Sequence, residues 1–285
     1  MKIGYYPGCS SEGTALEYGQ SIEAVAEALD IELIELEDWS CCGASSGHCT
    51  DETLSLALPA RNMAIAEKMG QDMVVSCAAC YVRFKATEHE LKQDAQKRQE
   101  IAEIIGMPLE LKYTTRHFLE LIYHEIGLDK IRNRVRKPLT GLKAVCYYGC
   151  YLVRPPKVTR FDNPENPTMM DELMVALGAE SIDWPCKIDC CSGSLAFTRV
   201  HIAKKLLATI MQTAIDVGAN CIVTACPLCQ ANLDTRTPMS ARKALPILYF
   251  SELLAVALGL EGMERWWRRH IFRPTKLLRS LNLIT

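Results

Sequence analysis

KIGYYPGC, Lys2 to Cys9, and KAVCYYGC, Lys143 to Cys150, are one short pattern written twice. Each runs through apolar and aromatic residues, reads as a short buried strand, and ends on a cysteine. The later cysteines repeat as well. Cys41-Cys42-Gly43 and then Cys77-Ala78-Ala79-Cys80 come after the first copy; Cys190-Cys191-Ser192-Gly193 and then Cys226-Pro227-Leu228-Cys229 come after the second. Between the first cysteine and the pair lie 31 residues in one half and 39 in the other, and between the pair and the CxxC lie 34 in both. The match continues past the cysteines. His117-Phe118-Leu119-Glu120-Leu121, closing at Gly127-Leu128, aligns without a gap to Tyr249-Phe250-Ser251-Glu252-Leu253, closing at Gly259-Leu260. The repeat predicts two copies of one domain, 1–137 and 138–263, joined near the basic, Pro- and Gly-punctuated stretch Arg132 to Gly141. Residues 264–285 form a tail outside it.

Local patterns assign the fold class. Ile3–Tyr6 and Ala144–Tyr148 read as buried strands, Ile31–Leu36 alternates like another, and Met73–Val75 and Ile222–Thr224 repeat the pattern just before each CxxC. Helical stretches lie between them, at Ser21–Leu29, Leu58–Met69, Ile202–Val217 and Phe250–Leu258, and Gly70 and Gly218 suit helix C-caps. Strand alternating with helix predicts an α/β domain with a small, largely parallel sheet and flanking helices, made twice. Ligands of such sheets gather at the carboxyl ends of the strands, where the cysteines fall.

Composition removes several function classes. With 285 residues, 49% hydrophobic and 23% charged, the chain can bury a large core. Its net charge of −2 gives no electrostatic case for nucleic acid. The first residues carry no apolar segment of signal-peptide length, and the longest apolar stretch, Pro246 to Leu260, is interrupted by Ser251 and Glu252 and too short to span a bilayer. A cytoplasmic chain is expected. Fourteen cysteines in a reducing compartment then point to metal or redox chemistry, because thiols there stay reduced and thiolates are soft ligands for zinc and iron–sulfur clusters. Pooling Cys77, Cys80, Cys226 and Cys229 would make a tetrahedral zinc site. That leaves Cys9, Cys41, Cys42 and their counterparts without a role, although a free cysteine is often just a small buried hydrophobe.

Cys, then Cys-Cys-Gly, then Cys-x-x-Cys, present twice from about Lys2 to Leu260, resembles the CCG domain of the heterodisulfide reductase B subunit. Related tandem domains occur in glycolate oxidase iron–sulfur subunits and in some succinate dehydrogenase or thiol:fumarate reductase subunits. The resemblance implies a noncubane [4Fe–4S] cluster in each half: one held by Cys9, Cys41, Cys42, Cys77 and Cys80, the other by Cys150, Cys190, Cys191, Cys226 and Cys229. It implies an oxidoreductase acting on sulfur groups, whose two clusters each hold one fragment of a disulfide or of thiol- or protein-bound sulfur. It also implies two partners, the ferredoxin-like C subunit and the flavoprotein A subunit of such a complex. The alternative in the same family is a non-catalytic electron-transfer subunit of the glycolate oxidase or succinate dehydrogenase type.

Some residues depart from the pattern or lie outside it. Ser192 stands where the first half has Gly43, which puts the second turn in question. Cys49, Cys146, Cys186 and Cys221 are extra to the ten and are expected to be structural. Cys49 is also a candidate reactive thiol, and the neighbouring His48 a candidate proton donor. Cys49 and the tail resemble the bacterial, sulfur-oxidiser type of subunit. The tail carries six Lys and Arg against Glu264, interleaved with Trp266, Trp267, Ile271, Phe272, Leu277 and Leu278. Such a mixture suits a membrane surface, a partner protein or self-packing; the expectation is that its aromatics are buried against protein and its basic residues skirt the contact.

Overall fold

A computed structural model describes residues 1–237 and 244–285. Two four-stranded sheets form, and every strand pairing in both is parallel. The first contains β1 (Lys2–Tyr6), β2 (Glu32–Glu35), β3 (Met73–Val75) and β4 (Thr115–His117) in the order β2-β1-β3-β4. The second contains β5 (Lys143–Tyr147), β6 (Glu180–Ser181), β7 (Cys221–Thr224) and β8 (Ile247–Tyr249) in the order β6-β5-β7-β8. The sequence repeat is therefore a repeat of topology. The central strands are buried nearly throughout, as strands covered by helices on both faces should be.

From β1 the chain crosses to one side for β2 and to the other for β3, so the switch point lies between β1 and β3, and likewise between β5 and β7. Such points open a crevice at the strands' carboxyl ends. Helices close each crossover. Helix Glu52–Lys68 starts at Asp51, whose carboxylate accepts from the Leu54 N–H at 2.8 Å, and ends before Gly70 at φ +71°. Its counterpart Val200–Asp216 ends before Gly218 at φ +83°. In both, the N–H groups after the last turn return to helix carbonyls, and glycine reaches the left-handed conformation without a Cβ clash.

The halves grip each other reciprocally. Tyr18, on helix Leu16–Ala28, stacks on Tyr249 at the end of β8 with centroids 4.0 Å apart, and Ser21 Oγ lies 2.6 Å from Ser251 Oγ. In return Phe161 packs edge-on against His117 at the end of β4, and the Tyr81 hydroxyl donates to the Thr159 carbonyl at 3.0 Å. His117 and Tyr249 occupy the same place in the repeat. Each opens a helix whose third residue, Glu120 or Glu252, accepts from the backbone N–H of that opening residue.

The tail folds back on the molecule. Trp266 and Trp267 are buried, and their short helix packs on helix Leu16–Ala28 of the first half. His270 is buried with its Nε2 3.1 Å from Glu252 Oε1. Arg265, Arg268, Arg269, Arg273, Lys276 and Arg279 are exposed, as is Ile271.

Candidate metal centres

Each set of five cysteines is delivered by three strand ends. β1 runs into Pro7-Gly8-Cys9 and β5 into Tyr148-Gly149-Cys150. Gly8 (φ +73°) and Gly149 (φ +65°) turn the chain, and a Cβ at Gly149 would stand 2.9 Å from Cys229 Sγ, one at Gly8 3.5 Å from Cys80 Sγ. At Gly149 only glycine lets the backbone pass so close to the CxxC thiol; at Gly8 the left-handed φ and the Tyr6 ring, 3.2 Å from a Cβ, are what disfavour a side chain. β3 and β7 run into Cys77 and Cys226, which open the helices Ala78–Gln93 and Pro227–Arg236; Cys80 and Cys229 follow in the first turn. A helix N-terminus favours thiolate over thiol, so this placement suits a metal ligand.

The adjacent pairs sit in the loops after β2 and β6, each tethered by a tyrosine. Tyr6 donates to the carbonyl of Ser40, just before Cys41, at 2.9 Å. Tyr147 holds the same place in the repeat and donates to the carbonyl of Asp189, just before Cys190, at 2.5 Å. The turn after each pair is also shared. The Gly43 N–H reaches Cys41 Sγ at 3.5 Å and the Ser192 N–H reaches Cys190 Sγ at 3.3 Å. Ser192 takes φ +63°, close to the +72° of Gly43, so the serine does not shift the turn. It adopts a conformation that disfavours a Cβ by roughly 1–2 kcal/mol. In the second half alone, Asn232 Nδ2 adds a bond to the Cys191 carbonyl at 3.0 Å.

Burial is graded alike in both sets. Cys9, Cys41 and Cys190 are exposed and Cys150 half-buried, while Cys42, Cys77, Cys80, Cys191, Cys226 and Cys229 are buried. Cys42 Sγ lies 3.1 Å from Cys80 Sγ. Hydrogen bonds from Cys41 and Cys80 hold the Cys42 thiol down at about 3, and one from Cys150 brings Cys190 to about 6. Cys226 is lowered by Cys229 and by Cys77; Cys77, Cys80 and Cys229, which share protons with these acceptors, are raised. A thiol network of this kind cannot ionise together unless a metal takes up the charge. Cys77 and Cys226 belong to different halves, so the two sets meet at their buried ends. Tyr18 sits at that meeting point, donating to the Ala225 carbonyl at 3.3 Å.

Among the described residues no three His, Cys, Asp or Glu side chains close on the position of a single metal ion. Five thiols per half, reached by backbone N–H groups and approached closely by glycine, are a donor set that fits an iron–sulfur group. Cys146, Cys186 and Cys221 lie elsewhere, buried in the second half with thiols raised by burial. Cys49 is exposed, with its Sγ 3.2 Å from His48 Nε2. Reading the sequence did not single out Tyr6, Tyr147, Tyr18 or His117. The first two were visible as the aligned tyrosines of the two opening strands and His117 as the partner of Tyr249 in the second aligned motif; nothing in the pattern marked Tyr18.

Fold and site together define an α/β protein with two equivalent sets of five cysteines at the strand ends of its two sheets. The CCG cysteine-rich domain family matches residues 3–85 and 144–234, and the chain belongs to it, carrying two copies. The chain is 32% identical to the 8-methylmenaquinol:fumarate reductase membrane anchor subunit of Wolinella succinogenes, over 97% of this chain and 99% of that one. It is 30% identical to the B subunit of the ferredoxin/F420H2-dependent CoB-CoM heterodisulfide reductase of Methanosarcina acetivorans, over 92% and 91%. Among solved structures, a hypothetical protein from Helicobacter pylori superposes with a TM-score of 0.75 at 10% identity, covering 95% of this chain and 52% of that one, a likeness of fold. Relatives named as B subunits of heterodisulfide reductases support an oxidoreductase role within a multisubunit reductase. Among the described residues no helix is long and apolar enough to cross a membrane.

Proposed function

We propose that the chain is the iron–sulfur subunit of a heterodisulfide reductase-like complex, which cleaves or forms a disulfide or a thiol-bound sulfur species. The observation that carries this reading is the pair of equivalent five-thiol sets at the strand ends of two equivalent sheets, with Tyr18 of the first half bonded to the carbonyl of Ala225, next to Cys226 of the second. Cys9, Cys41, Cys42, Cys77 and Cys80 would hold one [4Fe–4S] cluster, and Cys150, Cys190, Cys191, Cys226 and Cys229 the other, both noncubane as in the reductase that the chain resembles. When bound, such clusters supply one-electron steps and iron that binds a thiolate. The chain's own part is to present exposed Cys9, Cys41 and Cys190 on the open side, to fix the pair loops through Tyr6 and Tyr147, and to keep water from the buried ends with Tyr18 and His117. Electrons would pass to or from the ferredoxin-like C subunit and the flavoprotein A subunit of that complex, in the cytoplasm. The test is disulfide or persulfide turnover in protein purified without oxygen: Cys150→Ala should abolish it while the first set still takes up one electron. Near-normal turnover would overturn the two-site reading.

A second reading is favoured by one finding, the relative named as a fumarate reductase membrane anchor subunit, which matches nearly end to end. On that reading the chain only conducts electrons between a membrane donor and a partner reductase. Reducible clusters without any turnover of disulfide or persulfide substrates would decide for it.

A further inference from the structure

Equivalent positions in the two halves share one local fold, so a difference between them beside the thiols is a difference in chemistry. At the turn after the adjacent pair the first half has Gly43, where a Cβ would stand 2.8 Å from Leu58 Cδ1, so a side chain fits only by displacing that leucine. The second half has Ser192, fully buried, at φ +63°. Glycine would be the relaxed residue at that φ. Ser192 Oγ is buried without a hydrogen-bond partner among the described residues, and a buried hydroxyl left unpaired costs stability as well. The serine carries both costs beside two candidate ligands: Cys191 precedes it, and its N–H reaches Cys190 Sγ at 3.3 Å. A second donor comes from helix Pro227–Arg236. Asn232, buried, donates from Nδ2 to the Cys191 carbonyl at 3.0 Å and stands 3.9 Å from Cys191 Sγ. Arg236 Nε donates to Asn232 Oδ1 at 3.0 Å, which fixes the amide with its NH2 side toward the cysteine, and Arg236 is held in turn 4.7 Å from the Phe197 ring. In the places of Asn232, Arg236 and Phe197 the first half has Arg83, Thr87 and His48, and among the described residues Arg83 bonds no cysteine.

We infer that Ser192 and Asn232 donate hydrogen bonds to the sulfur of the iron–sulfur group held by the second set, and that they raise its potential above what the same five thiols alone would give. This rests on the reading that each set holds such a group. An added electron makes the sulfurs of such a group better acceptors, so donors aimed at them favour the reduced form. One electron enters, no covalent bond of the protein changes, and two fixed donors meet a more negative acceptor. Gly193 keeps the space between them clear, since a Cβ there would lie 3.8 Å from both Asn232 Nδ2 and Cys191 Sγ. Half-buried Cys150, against exposed Cys9, works in the opposite direction, because burial penalises added charge. The donors' share is therefore read from variants of one half and not by comparing the halves. The two centres are alike in ligands and unlike in redox poise: an electron in the chain rests in the second half longer than its thiols alone would hold it.

The test is a redox titration of the full chain, purified without oxygen and followed by EPR, with Cys41→Ala used to assign the second half's signal. Ser192→Ala keeps the strained backbone and removes only the hydroxyl. It should make reduction of the second half about tenfold less favourable, which is about 59 mV for one electron, and leave the first half's potential unmoved. Ser192→Gly should give the same shift while raising the melting temperature, because it also relieves the strain. Asn232→Ala should shift the potential in the same direction by roughly threefold, and it leaves the turn intact, so it decides the matter if the Ser192 variants lose iron. Pulsed EPR of the reduced wild type, in ordinary and in heavy water, should show an exchangeable proton coupled to the second half's signal that Ser192→Ala lacks. A potential unmoved in Ser192→Ala and Asn232→Ala at full iron content overturns the inference and leaves the proposed function standing. A shift in Ser192→Gly without one in Ser192→Ala overturns it too, since strain and not the hydroxyl would then set the potential. Zinc as the only metal overturns both.

Discussion

Gly149 stands at the point where a single methyl group would matter most. Its φ of +65° already disfavours a side chain, and a Cβ there would come within 2.9 Å of Cys229 Sγ. Gly218, at φ +83° with open space around it, carries the backbone penalty without the clash. Gly218→Ala should therefore cost roughly 1–2 kcal/mol of stability and keep all the iron, while Gly149→Ala should lose about half the iron with the first half unaffected; equal iron loss in both variants would show that backbone strain, not thiol placement, governs the site. Cys49 makes a separate claim. It is exposed, whereas Cys146, Cys186 and Cys221 are buried. In the iron-loaded protein one thiol should alkylate quickly, that reactivity should vanish in Cys49→Ser, and the three buried cysteines should react only on unfolding. Iron content should not change in Cys49→Ser, and a loss of iron would place Cys49 among the ligands. The ten candidate ligands were legible in the sequence because a thiol at a fixed spacing, present twice, has few other uses. Tyr18 was not legible, because an aromatic ring that packs across a pseudo-symmetric join leaves no periodic mark; His117 stood in the repeat opposite Tyr249, but its packing across the join did not show there.

Apolar runs made most strands legible, although β8, Ile247–Tyr249, is equally apolar and buried and was not read from the sequence. The buried strands β1, β3, β5 and β7 announce themselves, but β4 is Thr115-Arg116-His117, and its polar residues conceal a strand that pairs in register with Met73–Val75. Helix Glu52–Lys68 starts six residues before its apolar periodicity does, since Glu52, Thr53 and Leu54 face solvent and only the Asp51 cap marks the start. Helix Ala78–Gln93 escaped because its first turn is the CxxC itself and its last turns are charged. The tail illustrates the converse: its basic, aromatic composition suits several surfaces, and packing decides. Burial works to lower His270, but the Glu252 carboxylate bonded to it, with Asp234 and Glu17 nearby, outweighs burial and holds it at about 9. The folded value lies above the ordinary unfolded value of about 6.5. This contact therefore stabilises fully below about pH 6.5 and its contribution fades as pH rises through 9. The melting-temperature gap between wild type and His270→Gln should be widest near pH 6 and shrink toward pH 9.5. A gap that widens with pH would mean that His270 is buried neutral.

At the scale of the whole molecule, the two halves share topology, glycine turns, tyrosine tethers and graded thiol burial, and they differ in Ser192, in Asn232 and in the surface around Phe197. Shared features follow from what five thiols need in order to converge at a sheet's switch point. Differences mark what the two halves do not do in common. The parallel sheets and the doubling could be read from the sequence because both are written as repeats; the contact of Tyr18 with Tyr249 and with the Ala225 carbonyl could not, since it depends on how helix Leu16–Ala28 and the tail seat one half on the other. The central claim is that each half holds its own multi-iron group through its own five cysteines. Iron and acid-labile sulfide counts on protein purified without oxygen, taken together with the EPR of the wild type and of Cys41→Ala, test it most directly. The expected result is about eight irons per chain, four per half, falling to about four in Cys41→Ala with the second half's signal intact. Zinc as the only metal, or loss of all iron on removing Cys41, would contradict it.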